Sequence, residues 1–265
     1  MTLSVLVLAS PVTAQTPPDD PDRDISFAQP DFTLVTLPTT LRVPKFKSAF
    51  RVTHRFTRPL NEGSFGDLAS DLFGLDGGAQ IGLEYRFGIM RGTQVGIHRT
   101  SDRTIQFFTQ YEVVSEAGGS PVTISALGTM DGTNNFRDSY TPALGAVISR
   151  TLGEHGALYL EPIWVNNSNL QPSEVVDDND SVLLGVGARI RVRPTVYLTF
   201  EGVPRVAGYA PDSTQISFGL EKRSGGHLFQ LVFSNGFGTT IGQVARGANN
   251  TDDWYLGFAI SRKFY

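Results

Sequence analysis

A closed antiparallel transmembrane β-barrel of about twelve strands, led by a short irregular N-terminal arm, is the fold this sequence predicts. Three observations predict it. From Phe46 onward the chain is a series of segments of roughly ten residues in which apolar and polar side chains alternate. The links between those segments are short and long by turns. Charged residues fall in the middle of the segments, on the row opposite the apolar one.

Before the first segment, "LSVLVLAS" (Leu3 to Ser10) is a short apolar run with no Lys or Arg ahead of it, and Val12-Thr13-Ala14 follows with small residues. Residues 1–14 are expected to be an export signal, cut before Gln15. Residues 15–44 are rich in Pro and Asp and lack sustained periodicity, so they are expected to form a water-exposed periplasmic arm. The barrel itself is expected over 45–265. No later run approaches the roughly 18 apolar residues of a spanning helix.

The first segment is "FKSAFRVTHRF": Phe46, Phe50, Val52 and Phe56 share one face, while Lys47, Arg51, Thr53 and Arg55 share the other. "AQIGLEYRFG" sets Ile81, Leu83, Tyr85 and Phe87 against Glu84 and Arg86. "TQVGIHRT" and "RTIQFFTQYEVV" follow, the latter with Phe107 and Tyr111 against Gln106, Gln110 and Glu112. Then come "PVTISALGTM", "SYTPALGAVISR", "GALYLEPIWVN", "SVLLGVGARIRVR", "PTVYLTFEGV", "TQISFGLEKR" and "GGHLFQLVFSN". The chain closes on "DDWYLGFAISRKFY", where Trp254, Leu256, Phe258, Ile260 and Phe264 form an apolar row broken only by Arg262. Pro142 and Pro162 interrupt two of these segments, and each removes a ladder donor. They are expected to face one another across one hairpin, at a bulge or local break.

Tight links such as "GIMRG", "TLGEHG", "VRPT" and "RSGGH" alternate with the longer 59–78, 131–138, 167–180, 204–212 and 235–253. The three residues "SDR" at Ser101 to Arg103 stand in a slot where a long link is expected. Short turns at one rim and long loops at the other mark an outer-membrane barrel. With an even strand number, both chain ends fall on the tight-turn rim.

Which face points outward follows from the charges. About twelve strands enclose more space than side chains fill, since roughly eight already make a packed interior. An Arg held at mid-depth in lipid costs about 2–4 kcal/mol. Arg51, Arg55, Glu84, Arg86, Glu112, Glu161, Arg189, Arg191, Glu201 and Glu221 are therefore expected to line the interior, and the apolar rows to face lipid. Tyr140, Trp164 and Trp254 near the long-loop rim, with Phe46, Phe87 and Phe264 near the other, are expected to form two interfacial girdles. The interior signs are mixed from strand to strand, which predicts a cross-linked interior: a narrow polar channel, a plugged barrel, or a braced closed one.

Composition removes several functions. Cysteine is absent, so there are no disulfides or thiolate sites. A net charge of −4 without basic clusters offers nothing to nucleic acid. Of the histidines His54, His98, His155 and His227, the two in or beside turns, His155 and His227, have no nearby partner at metal spacing, "DDND" (Asp177 to Asp180) lacks the spacing of a calcium loop, and no metal or cofactor is expected. A membrane hydrolase would need a His and a Ser on the lipid face; His54 is on the outward row, but the place two residues on holds Phe56. The expectation is a protein that is not an enzyme.

The blocks "FRVTHRF" (Phe50 to Phe56), "DLFGLDGGAQIGLEY" (Asp71 to Tyr85), "GGHLFQLVFSN" (Gly225 to Asn235) and "DDWYLGFAISRKF" (Asp252 to Phe264) resemble an uncharacterised bacterial family, a membrane-bound β-barrel domain of unknown function. The resemblance runs from about Asp31 to the end and implies the barrel without implying a substrate. The closing strand also resembles the terminal aromatic signal read by the barrel-insertion machinery, with Phe264 in the outward aromatic place and Tyr265 after it. The expected role is a structural or narrow, porin-like pore for small polar solutes in the bacterial outer membrane, in contact with its lipid. The alternative is a barrel that docks a periplasmic partner through its N-terminal arm.

Overall fold

The computed structural model describes residues 27–169, 179–209, 213–248 and 252–265. The expected export signal, the first part of the arm and the first two residues of "DDND" lie outside these residues. The strands are β1 (Ser48–Pro59), β2 (Ala79–Met90), β3 (Thr93–Thr100), β4 (Ile105–Val114), β5 (Thr123–Gly132), β6 (Asp138–Thr151), β7 (Gly156–Val165), β8 (Ser181–Arg193), β9 (Val196–Val203), β10 (Arg205–Gly208), β11 (Gln215–Ser224), β12 (His227–Ser234) and β13 (Tyr255–Phe264). Each barrel strand pairs antiparallel with its neighbour in sequence, and β1 pairs with β13 to close the cylinder. Closure matters because lipid offers no hydrogen bonds to a free sheet edge.

Twelve of these strands make the barrel; β10 is the thirteenth. It is the continuation of β9 beyond Pro204, and it pairs with the start of β8 from Leu183 to Ser181. The Pro204 carbonyl still accepts from Leu184 N at 2.9 Å, so the proline splits the strand without parting it from its partner.

Period-two alternation appears directly as burial. In β7 the residues from Ala157 to Val165 are buried and exposed by turns. Large apolar side chains are on the exposed row, with Leu83 at 47%, Phe107 at 46% and Leu144 at 63% exposure, whereas Arg55, Glu161 and Arg189 are at 1% or less. A water-soluble fold buries the first set and exposes the second. This barrel is inverted, as lipid requires.

The two prolines do not face one another. Pro162 is level with Leu184 of β8, and Pro142 is level with Met130 of β5. The β6–β7 register holds from Ala143↔Val165 to Gly145↔Ile163 and resumes at Ile148↔Leu160. A local break therefore exists opposite Pro162, where its missing N–H leaves the ladder unpaired. Pro142 is at the end of that ladder, where its carbonyl accepts from Asn166 N at 2.9 Å.

The largest departure from expectation is the arm. Residues 27–44 were expected in water; instead they are folded into the barrel, with Phe32, Leu34, Val35, Leu37 and Val43 at 3% exposure or less. A hairpin-like turn, with Thr33 bridged to Pro38, forms their core. The physical reason is that the polar wall leaves a space too wide for side chains alone, and these apolar residues have somewhere dry to go.

Candidate functional site

The interior is built by placing inward positions of neighbouring strands at equal height. In β1, Arg51 and Arg55 point inward together with Glu84 and Arg86 of β2, and Arg51 is in register with Glu84. The Glu84 carboxylate nevertheless pairs with Arg86, whose guanidinium lies 4.6 Å from the centre of the Phe108 ring. Arg51 is left for the inserted segment: it donates to Thr33 Oγ1 and, at 2.9 Å, to the Val35 carbonyl.

On the opposite wall, Arg189 of β8 and Glu221 of β11 form a forked pair, Nε to Oε2 and Nη2 to Oε1 both at 2.9 Å, with each side chain fully buried. The same guanidinium donates to the carbonyls of Thr33 at 2.6 Å and Asp31 at 3.3 Å. Glu201 of β9 accepts the backbone N–H groups of Val35, Thr36 and Leu37 at 2.9–3.0 Å. Between Glu161 of β7 and Glu201, β8 contributes a floor of Gly185 and Gly187, on which Leu37 and Leu34 are seated. A Cβ at Gly187 would stand 2.3 Å from Leu34 Cδ1, so any larger residue there would force the Leu34 side chain to shift.

Of the ten residues expected to line the interior, eight are buried there, while Glu112 and Arg191 are half-buried at the tight-turn rim. Glu112 pairs with Arg42 at 3.2 Å, and Arg191 with Glu154 at 3.3 Å. Glu161 is fully buried, and neither carboxylate oxygen has a hydrogen-bond partner among the described residues.

Uncharged inward residues outside the ten expected lining positions complete the site. Gln94 donates to the Leu41 carbonyl and accepts from Val43 N, both at 3.2 Å; Gln110 donates to the Thr39 carbonyl at 2.8 Å. Gln230 donates to the Leu34 carbonyl at 2.7 Å, and Ser261 to the Asp31 carboxylate at 2.7 Å. The available signal was the run of inward glutamines: an amide carries both donor and acceptor, which suits the backbone of an irregular segment.

A second element enters from the long-loop rim. After β12 the chain turns inward, and the short helix Ile241–Ala245 is buried throughout. Asp131 of β5 anchors it, accepting from Thr240 Oγ1 at 2.5 Å, Gly242 N at 3.1 Å and Gln106 Nε2 at 2.7 Å. Thr36 Oγ1 donates to the Gly238 carbonyl at 3.3 Å, so the two insertions touch. Leu34, Leu37, Ile241, Val244 and Ala245 share one buried cluster. Between them, Thr33, Glu84, Gln106 and Ile241 help to line a cavity of about 20 Å³. That is room for about one water molecule.

The aromatics expected at the interfaces lie on the outer wall. Tyr140 (48% exposed) and Trp164 (40%) are at the long-loop rim with Trp254; Phe46 (68%) and Phe264 (47%) are at the tight-turn rim with Phe87. His54 faces outward, and its ring is stacked on Phe258 at 4.9 Å between centroids and 8° between planes. Its Nδ1 is buried without a hydrogen-bond partner, as befits a packing residue.

Three comparisons bear on this arrangement. The pattern of a family described as "Membrane bound beta barrel domain (DUF5777)" matches residues 31–264. Among curated proteins, none matches the sequence. Among solved structures, the NanC porin aligns over 82% of this chain and 100% of its own, with a TM-score of 0.56 and 8% identity. Two mutant Rhodopseudomonas blastica porins align at TM-scores of 0.37 and 0.38, with 10% and 11% identity, over 70% of this chain and 55% of theirs. At such identity the likeness to NanC is one of fold.

Proposed function

This chain belongs to the DUF5777 family of membrane-bound β-barrel domains, and from that premise we propose that it is an outer-membrane pore for small polar solutes that rests closed. Residues 27–44 are its stopper. The observation that carries this reading is how the stopper is held. Among the described residues, wall side chains bond to segment 31–43, and no backbone ladder joins that segment to the strands. The stopper can therefore leave without breaking any strand pairing, and the twelve-stranded wall persists around a polar lumen.

Arg51 and Arg55 share that lumen with Glu84 and Glu201, so an opened pore carries charge of both signs and suits neutral or weakly charged solutes. The aromatic last strand is the part suited to the barrel-insertion machinery, and lipid of the outer membrane is the partner of the outer wall. We read the chain as non-catalytic, with His54 a packing residue in its stack with Phe258.

The test is single-channel recording in planar bilayers. The full chain is expected to be nearly silent, and a variant lacking residues 27–44 to show discrete steps. A folded deletion variant as silent as the parent would remove the pore reading and leave a purely structural barrel.

A second reading has its own observation. Phe27, the first described residue, lies at the tight-turn rim with the guanidinium groups of Arg191 and Arg223 4.7 and 5.2 Å from its ring centre. The stopper thus enters from the rim expected to face the periplasm, where a protein binding the upstream arm would act on it. Co-purification of a periplasmic protein, lost on trimming residues 15–26, is the expected sign.

A further inference from the structure

The loop between β1 and β2, residues 60–78, has no part in the lumen, yet it is built with care. Ser64 caps the helix Phe65–Ser70 in a reciprocal capping box with Asp67. The segment does not stand up into water. Gly74, at φ +99°, is pressed on the outward side chains of β1: a Cβ there would lie 3.2 Å from that of Phe56 and 3.3 Å from that of Arg58. Phe56 is on the outward row but is only 4% exposed, between this loop and its ring neighbours His54 and Phe258. Arg58, also outward, pairs with Asp71 and donates to the carbonyls of Asp67 at 3.2 Å and Glu62 at 3.3 Å. The loop therefore folds back down the outer wall.

Its depth can be read from the strands. Leu60 N donates to the Trp254 carbonyl at 2.7 Å, which places the base of the loop beside an aromatic of the long-loop girdle. Phe56 is four residues further along β1, but the strand bulges between Arg55 and Pro59, so Phe56 is level with about Leu256 of β13, two residues and about 5 Å deeper than Trp254. Gly74 packs at that depth, below the level of the girdle. From there the loop presents Phe65 at 75% exposure, Leu72 at 57%, Leu75 at 56% and Phe73 at 37%. Phe65 and Phe73 form an edge-to-face pair with centroids 6.0 Å apart. This is too much apolar surface in too short a stretch to be left to water, and it is continuous with the apolar outer wall.

We propose that residues 60–78 form an interfacial clamp whose partner is the bilayer itself, with Phe65, Leu72 and Leu75 set into the leaflet on the long-loop side. Arg58 neutralises the carboxylate it pairs with, that of Asp71. Glu62 and Asp76 stay exposed and confine the segment to the headgroup zone, short of the hydrocarbon centre. The clamp fixes the height of the barrel in the membrane and covers the β1–β13 seam where the cylinder closes.

The absence of cysteine makes the test direct. Single variants Phe65→Cys, Leu72→Cys and Leu75→Cys of the full chain are spin-labelled in vesicles of phosphatidylcholine and phosphatidylglycerol. Relaxation by oxygen, which partitions into lipid, is compared with relaxation by a water-soluble nickel chelate. Leu144→Cys on the lipid-facing wall and Glu154→Cys on a tight turn supply the lipid and water references. The expected oxygen-to-nickel ratio at all three loop sites is severalfold above that at Glu154→Cys and below that at Leu144→Cys. A ratio equal to the water reference overturns the proposal. So does dipolar broadening between labels, which assigns the patch to a second copy of the chain. Neither result touches the conductance of the lumen, so this inference and the pore stand or fall separately.

Discussion

The Glu201 carboxylate takes three consecutive backbone N–H groups, of Val35, Thr36 and Leu37, while buried to 4% exposure. A turn of backbone donors around one anion is a preorganised contact, and truncating the anion leaves those buried donors without partners, at about 1–3 kcal/mol for each group so orphaned. Glu201→Ala is therefore expected to release the stopper without unfolding the barrel. Protease added on the tight-turn side should cut within residues 27–44 in the variant and spare the parent; equal resistance would show that the carboxylate is not the latch. Arg189 and Glu221 are a different case. The pair spans two strands as well as holding the Thr33 carbonyl, so Arg189→Met strands a buried carboxylate, at about 3–5 kcal/mol. Thermal unfolding in detergent is expected to shift down markedly for Arg189→Met and to recover in large part when Glu221→Leu is added, because two apolar side chains leave no unpaired charge.

At the scale of the element, each strand is simple and each insertion is not. The strands need only alternate, and their ends need only aromatics for the interface: Trp164 and Tyr140 at one rim, Phe46 and Phe264 at the other. Pro162 is tolerated because the break it makes between Gly145 and Ile148 is confined to one side of β7, the β7–β8 ladder being continuous across it. The insertions draw on glycine floors, amide side chains and caps instead. In the outer loop, hydrogen bonds from Ser64 hold the Asp67 carboxyl below the usual carboxylate range. A depressed value stabilises the cap above the ordinary Asp range and loses it only as pH falls through the lowered one, so the clamp is expected to keep its shape at neutral pH.

For the molecule as a whole, the consequence of two insertions meeting is coupling between the rims. Leu37 of the stopper and Val244 of the inward helix belong to one buried cluster, and Thr36 donates to the Gly238 carbonyl. Gln215 Nε2 donates to that carbonyl at 3.0 Å and to Thr36 Oγ1 at 3.4 Å, joining both to the wall. Loosening either insertion should loosen the other. In a double-mutant cycle of Leu37→Ala and Val244→Ala, read by thermal unfolding, the departure from additivity is expected to fall within about 0.5–3 kcal/mol. Additive effects would mean two independent plugs.

Strand number, the inside-out orientation and the inward charges were legible in the residues, because a two-residue period and the high energy of arginine in lipid are local facts that each segment carries alone. Arg51, Glu161 and Arg189 needed only parity to be placed. What fills the lumen was not legible in that way. "PDFTLVTLPTTLRVP" reads as a proline-rich arm until a cavity of matching width, polar walls at matching height and a floor at Gly185 and Gly187 are brought round it from strands far away in sequence. Its apolar residues, Phe32 to Val43, were the signal, but their destination depends on long-range closure. The same closure gave Arg189 to Glu221, while Glu84 pairs with Arg86 two residues along β2 in place of Arg51 opposite it, a choice among several inward charges that parity alone does not make.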